Sequence, residues 1–108
     1  MINFKQFQDV QMKVGLIKEA EDIEESNNLL SLKVDIGEEE LRQIIAGLKN
    51  TSYNPDNLKG KKVIVVANLE PKKLLGYESQ GMVLAASNDD QLTLLTVDQD
   101  IPVGAKIS

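Results

Sequence analysis

The chain has 108 residues, with 12 lysines and arginines against 17 acids for a net charge of −5, and it contains neither cysteine nor histidine. That length predicts one domain, residues 1–108, with a modest core. The missing residue types exclude disulfides, thiolate and imidazole metal ligands, Ser-His and Cys-His nucleophiles, and an imidazole base near neutral pH.

Carboxylates and lysines remain, but their spacing suggests no acid–base chemistry. Composition therefore favours a non-catalytic binding module with no cofactor. No run of eighteen apolar residues suggests a membrane span, and MINFKQFQDV lacks the pattern of a signal peptide. The absence of cysteine fits a reducing compartment, and a cytoplasmic location is expected.

Phe4 and Phe7 have helical spacing and predict one short turn packing its rings on the body or on a partner. Val10 to Ala20 reads as a strand, with Gly15 marking a bulge or a close backbone approach. Glu21 to Asn28 is expected as an exposed acidic loop. Leu30 to Ile36 alternates cleanly, with Leu30, Leu32, Val34 and Ile36 inward and Ser31, Lys33 and Asp35 outward.

Gly37 and Glu38 to Glu40 read as a hairpin turn. The acidic triplet is not expected to hold a metal, because successive residues there diverge in direction. Leu41 to Ala46 follows as a less regular strand, so that Lys33 and Arg42 are expected to project from neighbouring strands. Asn54, Pro55 and Gly60 punctuate a helix of one or two turns. Lys62 to Leu69 is apolar on both faces of a predicted strand.

The stretch Asn68 to Ala86, NLEPKKLLGYESQGMVLAA, packs two lysines, a proline, two glycines and a Ser-Gln-Gly-Met turn between apolar runs that read as buried strands. Loops held by a rigid scaffold concentrate binding residues. Lys59, Lys61, Lys62, Lys72 and Lys73 face only Glu70 and Glu78 between Lys59 and Met82, a local balance of +3 that leaves −8 elsewhere. Asn88-Asp89-Asp90 is a turn, Leu92 to Val97 a further strand, and Pro102 and Gly104 break up the tail. The sum is an all-β domain, expected as a five-stranded oligonucleotide-binding (OB) barrel with short flanking helical turns and extra strands.

Particular residues carry a resemblance over nearly the whole chain. They are the F-x-x-V-x-M-x-V-G segment from Phe7 to Gly15, Leu29 to Gly37, Leu41 to Ile44, Gly47, Tyr53 and Pro55. The most specific part is Val65-Val66-Ala67-Asn68-Leu69 with Pro71, Lys72, Leu74 and Gly76, then Ser79-Gln80-Gly81-Met82-Val83-Leu84-Ala85-Ala86. The chain resembles the tRNA-binding domain found at the C-terminus of many methionyl-tRNA synthetases. Stand-alone dimeric tRNA-binding proteins and endothelial-monocyte-activating polypeptide II carry the same domain. It departs from many relatives at Val10-Gln11-Met12-Lys13-Val14 and at Ser26-Asn27-Asn28-Leu29.

The resemblance implies an OB barrel acting as a homodimer that binds the outer corner of tRNA with little dependence on sequence. It implies RNA contact by Asn68, Lys72, Ser79, Gln80 and Met82, with Lys33 and Arg42 on the strands that would form the binding face. Lysines such as Lys72 and Lys73 suit phosphate neutralisation. Ser79, Gln80 and Asn68 offer donors and acceptors, and Gly81 permits close backbone approach. Each has a bland alternative: Asn68 a loop cap, Lys33 and Lys73 solvated side chains, and Met82 plain core.

With no tryptophan and only Tyr53 and Tyr77 as tyrosines, flat stacking rings are scarce, which favours recognition of a folded RNA's backbone and shape. The apolar runs Val63 to Val66 and Met82 to Ala86 suggest surface covered by a two-fold partner. The expectation is a homodimeric tRNA-binding module assisting methionyl-tRNA synthetase in trans or as its appended domain. The start at Met1 suggests a free-standing chain. The rival is a dimeric export-related chaperone of the same fold, binding unfolded peptides.

Overall fold

A computed structural model describes all residues, 1–108. Its centre is β1 (Met12–Asp22), which borders β4 (Lys62–Val66) along its first half and β2 (Leu30–Asp35) along its second. β3 (Arg42–Ala46) pairs with β2, and β7 (Met82–Val83) pairs with β4. All these pairings are antiparallel, in the order β3-β2-β1-β4-β7. This is the expected OB-like barrel, nearly closed.

Two hairpins leave the barrel: β5 (Lys72–Leu74) with β6 (Tyr77–Ser79), and β8 (Ala85–Ser87) with β9 (Leu92–Leu94). The last strand, β10 (Lys106–Ile107), returns to pair with the start of β1.

The alternation of Leu30 to Ile36 is realised: Leu30, Leu32, Val34 and Ile36 are all buried. They join Ile17, Ile44, Leu58, Val63 and Val65 in one core. Residues Val63 to Val66 are buried on both faces, as their composition predicts. Two short helices flank the barrel, α1 (Phe4–Gln8) and α2 (Pro55–Leu58). Each begins with an asparagine in a capping box, Asn3 with Gln6 and Asn54 with Asn57, so that side chains satisfy the first free backbone N–H groups.

Three expectations are corrected, and of the two alternatives at Gly15 the close approach is realised. Gly15 forms no bulge; it pairs in register with Val63, and the register shift lies between Ile17 and Glu19. Gly15 serves close approach instead, since a Cβ there would sit 2.8 Å from Val34 Cγ1 and 3.0 Å from Val65 Cγ2. The acidic segment is only partly a loop, because β1 runs through Asp22, and Ile23 and Ser26 are buried. The Phe4 ring is not packed on the body: Phe4 is 73% exposed. Met82 to Ala86 is apolar yet largely uncovered, with Met82, Ala85 and Ala86 exposed.

Candidate functional site

The β5–β6 hairpin turns through Leu75 and Gly76, both with positive φ (51° and 82°), the handedness that matches strand twist in a two-residue hairpin. Its register sets the directions of the two lysines. Lys72 pairs with Ser79 and Leu74 with Tyr77, whereas Lys73 pairs with Glu78. Side chains alternate along a strand, so the adjacent lysines project from opposite faces. Lys72 faces the barrel side, and Lys73 faces Glu78.

On the Lys72 side lies an open hollow of about 540 Å³. Ile45, Leu69, Leu74 and Met82 give it an apolar lining, and Lys72, Glu70, Ser79 and Gly81 complete it. Met82 is 47% exposed, so it is neither core nor solvated tip. A second hollow, of about 260 Å³, shares Ile45 and Met82 and is lined by Ala46, Leu48, Val83, Ala85, Leu92 and Leu94 among others. Leu69 in the first hollow is exposed, and exposed Leu95 donates its N–H to the Leu84 carbonyl, so this side of the molecule carries uncovered apolar surface.

The polar residues of the motif are engaged within the protein. The Ser79 hydroxyl accepts from Ile45 N–H at 3.0 Å and donates to the Gly81 carbonyl at 3.1 Å. Gln80 pairs with Gln43 twice: its backbone N–H donates to the Gln43 carbonyl at 2.7 Å, and its Oε1 accepts from the Gln43 N–H at 2.9 Å. Asn68 accepts from Gln11 N–H and donates to the Asp9 carbonyl, which ties the segment after α1 to the end of β4. At Gly81, with φ 145°, a Cβ would lie 3.0 Å from the Val66 carbonyl, so the glycine serves barrel packing. The Ser-Gln-Gly motif closes the barrel against β3, with two side-chain oxygens standing where a strand would offer carbonyls.

Arg42 is also committed. Its Nε and Nη2 grip the Glu38 carboxylate, both at 2.9 Å, while Nη1 donates to the carbonyls of Ala67 and Gln80. The Arg42 hydrogen bonds hold the Glu38 carboxyl below its ordinary range, and Glu38 in turn raises the guanidinium. Arg42 and Lys33 do not share a face. Lys33 pairs in register with Gln43, and Arg42, one residue earlier, points the other way. The Lys33 ammonium donates to Gln43 Oε1 at 2.9 Å.

Lys33 lines a third hollow, of about 240 Å³, whose walls include Glu19, Glu21, Asp22 and Tyr77. Three carboxylates against one lysine make this groove acidic. The basic stretch read from the sequence is likewise divided. Lys62 is paired with Asp100 and also donates to the Ile101 carbonyl. Lys59 and Lys61 precede β4, whereas Lys72 follows it, in the β5–β6 hairpin. Tyr53 packs against the core, and its hydroxyl accepts the Leu94 N–H at 2.9 Å; that bond lowers its pKa.

Of the nine residues picked from sequence, Lys72, Ser79, Gly81 and Met82 meet at one hollow. Arg42 and Gln80 brace the Ser-Gln-Gly segment beside it, Asn68 ties the segment after α1 to β4 instead, Lys73 stands on the outer face of the hairpin, and Lys33 belongs to the acidic groove. Sequence reasoning missed Ile45, Leu69 and Leu74 as lining, since apolar residues in strands read as core. It also missed the acidic wall, whose signal was present: Glu19 and Glu21 stand two apart on a strand and so share a face.

Residues 12–106 match the family described as "Putative tRNA binding domain". The chain is 50% identical over 107 residues to a methionine–tRNA ligase of Caldanaerobacter subterraneus and 49% identical to one of Methanocaldococcus jannaschii. Each alignment covers nearly all of this chain, 99% and 98%, but the chain spans only 16% of the length of either ligase. Among solved structures, a MetRS-related protein of Pyrococcus horikoshii superposes with a TM-score of 0.91 at 42% identity, covering 100% of this chain and 98% of that one. The CsaA chaperone protein of Picrophilus torridus superposes with a TM-score of 0.89 at 34% identity, with 100% of both chains covered.

Proposed function

Since the chain belongs to the tRNA-binding domain family, we propose that it is a non-catalytic module that captures tRNA by shape and backbone rather than by sequence. The observation that carries this reading is Lys72 at the lip of an apolar hollow floored by Met82, on a hairpin braced by the Ser79–Gly81 closure. A phosphate at Lys72 releases condensed counterion, and the hollow offers an apolar seat for a ribose or a splayed base. Lys73 meets a neighbouring phosphate from the other side of the hairpin. Ser79, Gln80 and Arg42 act by holding that hairpin in place, and the RNA touches them through the backbone they fix, while Asn68 fixes the end of β4 from which the hairpin departs. Gly81 lets the chain lie close against β4.

The module acts as a homodimer. Met82 to Ala86, Leu92 and Leu95 supply apolar surface that a second copy would cover. Light scattering at micromolar concentration tests this, and a monomer mass removes it. Its place is beside a methionyl-tRNA synthetase, in trans or as an appended domain, where it raises the local tRNA concentration. No helix is long and apolar enough to cross a membrane.

Fluorescence anisotropy with unfractionated tRNA over a salt series tests the RNA reading, using native protein and a Lys72→Ala, Lys73→Ala variant. The expected result is preference for tRNA over an unstructured RNA of equal length, with weaker binding and a shallower salt slope in the variant. No binding by native protein at low salt overturns it.

The second reading is peptide capture by a chaperone of the same fold. The acidic groove of Glu19, Glu21 and Asp22 beside uncovered apolar surface favours it, since basic and apolar segments of an unfolded client suit both. Suppression of aggregation of a denatured client, undiminished by excess tRNA, would establish it.

A further inference from the structure

A second group of cations lies away from the hairpin. β10 returns to the first residues of β1 so that Lys106 and Lys13 are direct cross-strand partners. Like charges set opposite one another in an antiparallel pair repel. Both lysines line one hollow of about 310 Å³, together with Gln8, Gln11, Val10 and Met12. The ion pairs of the chain are Arg42–Glu38 and Lys62–Asp100, so neither of these ammonium groups has a carboxylate partner. The Glu38 carboxyl is lowered chiefly by its hydrogen bonds to Arg42 and only in small part by Lys13, and two nitrogens of Arg42 already grip it. No carboxylate forms part of the hollow's wall.

The hollow is held firmly. Asn68 anchors Gln11 N–H and the Asp9 carbonyl, and the Ala67 N–H donates to the Gln11 carbonyl. Val14 N–H donates to the Ala105 carbonyl and Gly104 N–H to the Val14 carbonyl, which fixes the approach of β10. The two glutamine side chains add uncharged donors beside the lysines. In a protein of net charge −5, two ammonium groups outside any ion pair, on a hydrogen-bonded backbone and beside amide donors, match an oxyanion.

We propose that Lys13 and Lys106, with Gln8 and Gln11, form a phosphate-binding site that takes a second phosphodiester of the bound RNA, apart from the hairpin. The site rests on the tRNA reading for its source of phosphate. The register sets its distance. Met12 pairs with Val66, which pairs with Met82. β1 is therefore two strand spacings, about 10 Å, from β7, and β10 lies one spacing further. Lys13 and Lys106 are one residue removed from Met12 and Ile107 and project from the opposite face of the sheet to Met82, so the lysine pair and the hairpin would engage separate segments of one folded RNA.

The test combines two measurements. In the first, tRNA binding by Lys13→Gln, Lys106→Gln protein is compared with native protein over a salt series. Affinity is expected to fall several-fold at low salt, and the slope of log affinity against log salt to become shallower by about two. Thermal melting should stay level or rise, because a repulsive pair has been removed. In the second, inorganic phosphate is titrated against chloride at constant ionic strength, and the backbone amide resonances of Gln8, Gln11, Lys13 and Lys106 are expected to shift selectively. An unchanged salt slope in the variant overturns the site, whatever phosphate does. If native protein fails to bind tRNA yet these amides shift with phosphate, the RNA reading fails and the anion site stands. If neither occurs, both fail.

Discussion

Ser79 Oγ accepts the Ile45 N–H at 3.0 Å across 34 residues of chain, and so takes the place of a strand neighbour on the open edge of β3. Ser79 is 6% exposed and Ile45 8%, so water offers that N–H little alternative. Ser79→Ala should therefore cost about 1–3 kcal/mol, which lowers Tm by roughly 5–20 °C in a domain of this size. Binding of tRNA per folded molecule should change little at a temperature where the variant is fully folded. Thermal melting and anisotropy on one preparation separate the two effects. An unchanged Tm with lost binding would instead put the hydroxyl on the RNA.

Gly15 lies where β1 passes closest to β2 and β4. A methyl group there would sit 2.8 Å from Val34 Cγ1 and 3.0 Å from Val65 Cγ2, both on fully buried side chains. Neither valine has room to turn away, so Gly15→Ala should destabilise by about 1–3 kcal/mol through overpacking. Chemical denaturation reads this directly. A neutral result would mean that the barrel can open by several tenths of an ångström at its tightest crossing.

These two residues also show what the sequence could and could not convey. The alternation of Leu30 to Ile36 is local, so both the strand and its inner face were legible. Gly15 was legible as special, but a bulge and a close approach look alike until the partner strands are in place. The bulge falls three residues later, at Lys18, where no residue type advertises it. The Ser79–Gly81 motif was legible as a unit, yet its hydroxyl and amide read as ligand donors because β3, their true partner, is far off in sequence. Lys33 and Arg42 were legible as residues of neighbouring strands, but the register that sets Lys33 opposite Gln43 and turns the two to different faces was not. Met82 to Ala86 read as buried because apolar composition reports burial without reporting whether the cover is this chain or another.

The Glu38–Arg42 pair predicts a pH signature. Hydrogen bonding to Arg42 lowers the Glu38 carboxyl below its ordinary 4.5. A depressed folded-state value stabilises the protein above the unfolded value and loses that contribution as pH falls through the folded one. Glu38→Gln should thus be less stable than native protein above about pH 4.5, and the gap should close at lower pH. The Glu38 side chain is 41% exposed, so solvent screening limits the gap to a few tenths of a kcal/mol. Arg42→Ala should cost more, about 1–2 kcal/mol, because the carbonyls of Ala67 and Gln80 also lose their donor. Denaturant titrations at pH 7 and pH 3 check both. An Arg42→Ala protein no weaker than Glu38→Gln would mean that the carbonyl contacts contribute nothing.

The acidic groove predicts a gain of function. Glu19 and Lys33 are cross-strand partners, yet the lysine ammonium turns to Gln43 Oε1, leaving Glu19, Glu21 and Asp22 along the groove without a basic partner. On the proposed RNA reading, these carboxylates would repel phosphate and keep the RNA out of the groove. Glu19→Gln, Glu21→Gln removes two of the three charges at exposed strand positions, so the fold should tolerate it. Affinity for tRNA should rise several-fold at low salt, and the gain should shrink as salt screens the remaining field. Binding of a basic peptide should move in the opposite direction. If tRNA affinity falls instead, the groove is part of the RNA footprint through hydrogen bonds that the carboxylates accept, and the repulsive role assigned to them is wrong.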